Sequence, residues 1–417
     1  MQLAAAIWRR LAAPRDGTRT AVRRLAAARF ISMAGTDATG VAVGFALYEQ
    51  TRSPQWLSLS LLLTIGVGAL LAPLGGRVGD LLDRRKLMIG AELCLCGVFA
   101  TLAVVHTPVA LLALGLLASA IGTLFGPASG AAIAHIAGER QLAWANGVIA
   151  TGANLGKSAG RLLAGALISA FGPAGVFLLD ALTYLVSALL IVSVRRAFSG
   201  RLLDPPEDTA AERRGVDGGL RLLMSQRTLR LLVASACIST FATGFSMTAE
   251  VPLVFDLGAG AIGLGALTGC WGAGMVAGSW YGGRVLHEGN EAAGVLGGRL
   301  AMAAGVGLVA VSPSLAPMLV CYLLGGAGGG LMGVAAQSIV LRQAPDHVRA
   351  RLLGTIESCR NLAFGMGVVG AGTLVSLIGP RPVYALVGLA MALGTLPVAA
   401  LVRRPSGPPP VRPAEAV

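Results

Sequence analysis

Charge is scarce in this chain of 417 residues: Asp, Glu, Lys and Arg make up 13% of it, and mean hydropathy is +0.73. Soluble domains carry about 25% charged residues, so a fold solvated by water is excluded and lipid is the expected solvent. Acids are the scarcer sign, 20 against 33 Lys and Arg, for a net charge of +13. In a soluble protein that excess would suggest nucleic acid, so the position of the charges has to decide. Histidine occurs at His106, His135, His287 and His347, singly at expected span ends or in loops, which builds neither a metal cluster nor a catalytic dyad. Cysteine is confined to Cys94, Cys96, Cys237, Cys270, Cys321 and Cys359, all in apolar stretches. Cys94 and Cys96 lie about 200° apart around a helix, so their thiols do not converge, and neither a disulfide nor a metal site is expected. No nucleophile, base and acid set stands out, which excludes an enzyme, and no cofactor is expected. Thr151-Gly152-Ala153-Asn154-Leu155-Gly156-Lys157-Ser158 resembles a phosphate-binding loop, but its first glycine is one position late and no strand precedes it.

What is present in abundance is long apolar sequence. Bilayer hydrocarbon is about 30 Å thick, so a spanning helix takes roughly 20 apolar residues. Charge-free runs at 53–76, 231–249, 257–283 and 300–341 mark spans, the last long enough for two helices with a turn at Ser312-Pro313-Ser314. The same logic places twelve spans at 27–49, 55–77, 87–106, 109–134, 143–171, 174–195, 229–255, 261–284, 292–312, 315–340, 352–378 and 381–402. The expected fold class is an all-α membrane protein of twelve transmembrane helices in two pseudo-symmetric six-helix bundles. Its parts are a cytoplasmic tail over 1–26, a bundle over 27–195, a cytoplasmic linker over 196–228, a second bundle over 229–402 and a tail over 403–417. Residues 1–29 hold seven arginines and no long apolar core before a cleavage site, so no signal peptide is expected.

Orientation follows from the cations. Lys157, Arg161 and Arg360 fall inside spans and Arg52 and Arg381 in outer loops, leaving 28 of the 33 on one face. Cations collect on the cytoplasmic side, so both termini are expected there, in the inner (plasma) membrane. Lipid headgroups then balance the net charge, and no nucleic-acid partner is implied.

One internal register stands out. Gly75-Gly76-Arg77-Val78 recurs as Gly282-Gly283-Arg284-Val285, an offset of 207, and the same shift carries Gly147 to Gly354, Asn154-Leu155 to Asn361-Leu362, Gly160 to Gly367, Ala164-Gly165 to Ala371-Gly372 and Gly172-Pro173 to Gly379-Pro380. A duplicated six-helix unit is implied. In transporters two such parallel halves place the substrate path between them, so the duplication points to a carrier.

After the second span stands Gly76-Arg77-Val78-Gly79-Asp80-Leu81-Leu82-Asp83-Arg84-Arg85-Lys86. It resembles the loop signature of the major facilitator superfamily, with Leu81 where the family usually has a basic residue. The resemblance extends through Phe125-Gly126-Pro127-Ala128, Leu142-Ala143-Trp144-Ala145-Asn146 and Val251-Pro252-Leu253, and is greatest to the branch of siderophore exporters and macrolide efflux pumps. It implies a cytoplasmic gate of Gly76, Asp80, Arg84 and Arg85, with Asp80 docking near Leu352 and pairing with Arg84. The family's fifth-span signature appears only as Gly156, Gly160 and Gly165, with Arg161 where its proline usually stands, and the fourth-span arginine of many proton-coupled members has no counterpart between Ala110 and Ala134.

Charges at membrane depth cost several kcal/mol unless paired or hydrated, so each is a functional candidate. The candidates are Asp37, Lys157, Arg161, Glu250, Glu357 and Arg360, lining a substrate cavity, with Asp37 and Glu250 as proton-coupling acids. Lys157 and Arg161 share a helix face and Asp37 shares their depth, so a pair of Asp37 with either is expected. Two cations against one or two acids would favour an anionic or zwitterionic cargo. Asp180 and Glu92 read as polar partners near helix ends. The expectation is a monomeric secondary exporter of a small organic molecule, driven by protons, with sodium left open as coupling ion. An uptake carrier, and a non-transporting membrane receptor or lipid scramblase, are the alternatives.

Overall fold

A computed structural model describes residues 17–64, 66, 71, 83–105, 107–195, 198, 215–344 and 346–402. Among these there is no strand. Lipid offers no partner for backbone N–H and C=O groups, and helices satisfy them internally. The helices are α1 (Thr18–Thr51), α2 (residues 54–64), α3 (Arg84–Val104), α4 (Pro108–Ser193), α5 (Gly215–Ser225), α6 (Arg227–Asp256), α7 (Gly260–Val285), α8 (Glu291–Leu308), α9 (Leu315–Gln343), α10 (Asp346–Ile378), α11 (Pro380–Leu393) and α12 (Leu396–Val402). Local chemistry sets their ends. The Asp83 side chain accepts from the Lys86 N–H at 3.0 Å to start α3, and Thr107 does the same for Ala110 ahead of α4, with Pro108 where no N–H is needed.

Ten stretches are long and apolar enough to cross a bilayer, and nine of them match expected spans one for one. The tenth, Trp144–Ser193, has 50 residues and turns at Gly172, so it supplies the fifth and sixth expected spans together. The expected second span is described over residues 54–64 and at 66 and 71; the rest lies outside the described residues, as do the gate residues Gly76 and Asp80 and the C-terminal tail.

Gly172 has φ 66 and ψ 173, and Gly379 has φ 81 and ψ 168. That corner of backbone space is open essentially to glycine alone. In both places a proline opens the following helix, so the 207-residue repeat is a repeat of backbone geometry as well as of letters.

One boundary differs from expectation. The first helix begins at Thr18, inside the stretch read as a tail, because Ala21, Val22, Leu25 and Ala26 form a buried stripe at helical spacing against Ile136 and Ile191. The expected linker is helical over Gly215–Ser225, where Leu223 is buried with Leu229, Val233 and Leu352.

The chain divides into two compact units, one of residues Met1–Glu207 with Glu250–Gly269, the other of Asp208–Ala249 with Cys270–Val417. The first unit thus takes in the end of α6 and the start of α7. Aromatic contacts hold that piece: the Phe255 ring lies 5.1 Å from the rings of both Phe45 and Tyr48, and Arg52 stacks on it at 4.7 Å. Gly165 and Gly265 meet backbone to backbone in the same unit, at a spacing that leaves no room for a Cβ on either.

Candidate substrate and coupling site

A glycine ladder positions the central ion pair. Gly152, Gly156 and Gly160, one turn apart on α4, lie directly against the backbone carbonyls of Ala26, Phe30 and Ala34, one turn apart on α1. The two helices therefore run parallel at the closest approach that small residues permit. One residue past Gly160 is Arg161, and three past Ala34 is Asp37. The ladder brings them level, and Arg161 Nε donates to Asp37 Oδ1 at 2.7 Å. Asp37 is nearly enclosed, its side chain 12% exposed, whereas that of Arg161 is 52% exposed. The Thr268 hydroxyl, from α7, donates to the Arg161 carbonyl at 3.2 Å and ties the same turn to the Glu250–Gly269 segment.

Glu250, near the end of α6, is partly exposed, yet its Oε1 is sealed from solvent and has no hydrogen-bond partner. Arg161 is the charged group that acts on it. Asp37, Arg161 and Glu250 thus gather in one unit. Lys157 is exposed and forms no ion pair with a described residue, so of the two cations expected opposite Asp37, Arg161 is the one in contact. The gathered set holds one cation and two acids, and the expected positive excess does not arise from it; any excess depends on Lys157 as a second, exposed cation.

Glu357 and Arg360 sit in the second unit, on α10, and pair with each other across one helical turn at 3.1 Å, both substantially exposed. Of the gate residues within the described chain, Arg85 donates to the Val192 carbonyl at 2.6 Å and lies over the Phe198 ring, and Arg84 is half-buried at the first position of α3.

The structure also buries charges that sequence reasoning set aside. Glu92 on α3 and Asp180 on α4 are each 1% exposed, and each has an oxygen without a partner. Arg299 on α8, counted among the cytoplasmic cations, is 3% exposed; its Nη1 donates to the Ser235 carbonyl at 2.8 Å and to Ser239 Oγ at 2.5 Å. The 207-residue register was the available signal, because it places Glu92 on Arg299 and Ser32 on Ser239. The same register sets Asp37 and Arg161 on Gly244 and Val368, which pack backbone to backbone in the second unit. One copy of the duplicated unit has a tight apolar contact where the other has an ion pair.

The sequence profile of the Major Facilitator Superfamily matches residues 25–316 and 289–417. The chain belongs to that superfamily. Membership makes it a transporter rather than an enzyme, and with its apolar helices a multi-pass protein of the inner membrane. Among superfamily relatives, the uncharacterised MFS-type transporter YfiS of Bacillus subtilis (strain 168) is 26% identical over 344 residues, 80% of this chain and 81% of that protein. The enterobactin exporter EntS of Shigella flexneri is 25% identical over 85% of each chain, and that of Salmonella typhi 23% identical over 94% of this chain and 96% of the relative. The fold is shared with the nucleoside transporter NupG, at a TM-score of 0.73 and 13% identity over 92% of this chain and 99% of that one. It is shared too with a bacterial homologue of the iron transporter ferroportin in its inward-facing state, at 0.70 and 16% identity over 92% and 99%.

Proposed function

We infer that the protein is a monomeric secondary exporter of a small organic molecule, a siderophore, natural product or drug, working by alternating access in exchange for protons, with both termini cytoplasmic. Similarity to proteins named enterobactin exporters over 94% of the chain supports the direction. The observation that carries the coupling is the Asp37–Arg161 ion pair with the unpartnered Glu250 oxygen in the same unit.

The chemistry narrows the cargo. If a purely anionic group took Arg161, it would displace Asp37 and leave an uncompensated carboxylate that gains from a proton; cargo and proton would then move together. Antiport requires competition instead. A zwitterion competes, since its positive or donor end occupies the acid that a proton otherwise neutralises while its negative end takes Arg161 or Lys157. Zwitterionic cargo is therefore the preferred reading.

Everted vesicles test the direction. With the lumen acidified they fill with cargo, assayed with enterobactin and a panel of labelled zwitterionic and anionic compounds. Accumulation of the same compounds only in right-side-out vesicles under an inward proton gradient would reverse the assignment to uptake. For the cargo contact, Arg161→Ala and Lys157→Ala each weaken binding of the transported compound by about tenfold or more, the roughly 1.5–3 kcal/mol of a charge-assisted hydrogen bond. Equal binding in both variants and the wild type argues against a cationic pocket.

A further inference from the structure

The first unit holds a second set of acids away from the Asp37–Arg161 contact. The Asp180 carboxyl is pressed against the α1 backbone at Gly35, where a Cβ would overlap its Oδ1. Thr183 donates to that oxygen at 3.0 Å, and Oδ2 has no partner. Thr39 of α1 stands beside Asp180, but its buried hydroxyl closes no hydrogen bond, and Asp37, also of α1, is the charged group that acts on Asp180. Glu92, from α3, faces Ser187 of α4, whose hydroxyl likewise closes no bond; Arg29 of α1 and Asp180 are the charges acting on it. Tyr184 follows Asp180 by four residues on α4, one turn along the same side of the helix. Its hydroxyl shares a 2.8 Å hydrogen bond with Thr36, and its ring stacks on Phe99 of α3 at 5.5 Å. Arg29 also covers the Phe125 ring at 4.8 Å.

An ionised carboxylate in such a place, with one oxygen making no hydrogen bond, costs several kcal/mol. A proton on that oxygen removes the charge and supplies a donor to a neighbourhood of hydroxyl acceptors. The duplicated unit provides an internal control. In the second unit the equivalents of Glu92, Asp180 and Tyr184 are Arg299, Val387 and Met391. There the interior charge is a guanidinium fixed by two hydrogen bonds, and the partner acid is replaced by an apolar side chain. Packing a six-helix unit of this kind therefore does not require the acids.

We propose that Asp180 and Glu92 form a proton-binding site inside the first unit, taking up a proton as a carboxylate becomes a neutral acid and returning it in the reverse step. The site is linked to the ion pair through Asp37. While Arg161 or the positive end of a zwitterionic cargo holds Asp37, the field of the Asp37 carboxylate on Asp180 is offset and Asp180 gives up its proton more readily; when neither does, that field strengthens and favours a proton on Asp180. With Arg299 and Val387 at the equivalent positions, the second unit has no carboxylate there to take up a proton. The use of the site in coupling rests on the exporter reading; its existence does not.

Infrared pH-difference spectra of the reconstituted full-length protein test it, with no cargo present. An acid-minus-alkaline spectrum shows a carboxylic-acid C=O band that exchanges slowly in heavy water, and Asp180→Asn and Glu92→Gln each remove part of it. A titrating band untouched by either variant, or a band altered by sodium but not by pH, overturns the proposal. Should both variants fail to fold, wild-type protein with carboxyl-labelled aspartate or glutamate decides: each label moves part of the slowly exchanging band, and its absence under both labels refutes the site. Because cargo is not needed, a failed export assay leaves this result standing, and a missing band leaves the exporter reading standing.

Discussion

In everted vesicles carrying Asp37→Asn, proton-driven accumulation of cargo falls to background while downhill exchange of the same cargo persists. Asn keeps the size of the Asp37 side chain and can still accept from Arg161 Nε, so the geometry set by the glycine ladder survives. What is lost is the ability to hold a charge that a proton can neutralise. The 2.7 Å hydrogen bond can be kept, since the Asn oxygen still accepts from Arg161 Nε, so a fold that survives the change is the expected result. A coupling defect and a folding defect are therefore separable by melting the detergent-solubilised protein. Wild-type accumulation in this variant removes Asp37 from the coupling mechanism, whereas loss of both driven transport and exchange assigns it to cargo binding instead. Glu250→Gln is the natural comparison, since the Glu250 oxygen is buried without a partner and does not form the 2.7 Å pair.

The sequence made the spans legible because lipid leaves few options: apolar runs of about 20 residues become helices, and Gly-Pro pairs end them. Gly172 and Gly379 were visible for that reason, as letters at a fixed offset whose backbone geometry proves to be the same. The α1 extension back to Thr18 was less visible. Its buried face is mostly alanine, and the arginines around it suggested a solvated tail.

Depth was legible only coarsely: counted from the expected span starts, Asp37 lies about 15 Å in and Lys157 about 20 Å, with Arg161 one turn deeper still. By that count Lys157 is the nearer cation, yet it sits one turn short of the level at which Asp37 lies, and counting to within a turn does not resolve that. Glu92 and Arg299 failed for another reason. Each lies eight residues into its helix, about 12 Å from the start, which looks like the headgroup end. Burial inside a bundle depends on which face meets a neighbour, and that is not written in span boundaries. Matching identical residues at the 207 offset also cannot reveal an acid in one copy opposite a base in the other.

Gly160→Ala separates the wild-type geometry from mere helix propensity, because the two act in opposite directions. In an unhindered helix the change would stabilise by about 1 kcal/mol. At Gly160 the new Cβ overlaps the Ala34 carbonyl, a backbone atom that cannot rotate away, so α1 and α4 must move apart. Overpacking of this kind costs about 1–3 kcal/mol, and helix association in lipid depends on just such close approach. The net expectation is a lower melting temperature. Gly367→Ala makes the same overlap with the Phe241 carbonyl in the second unit, 207 residues along, and should lower melting similarly. The two variants part at the next residue. Arg161 follows Gly160 and must reach Asp37 across the widened gap, whereas Val368 follows Gly367 and faces Gly244. Gly160→Ala therefore depresses proton-driven transport beyond its effect on stability, and Gly367→Ala does not. If Gly160→Ala melts at or above the wild-type temperature, the two backbones are not in contact and the ladder does not set the ion pair; if both variants lose transport equally, the Asp37–Arg161 pair has no special part in coupling.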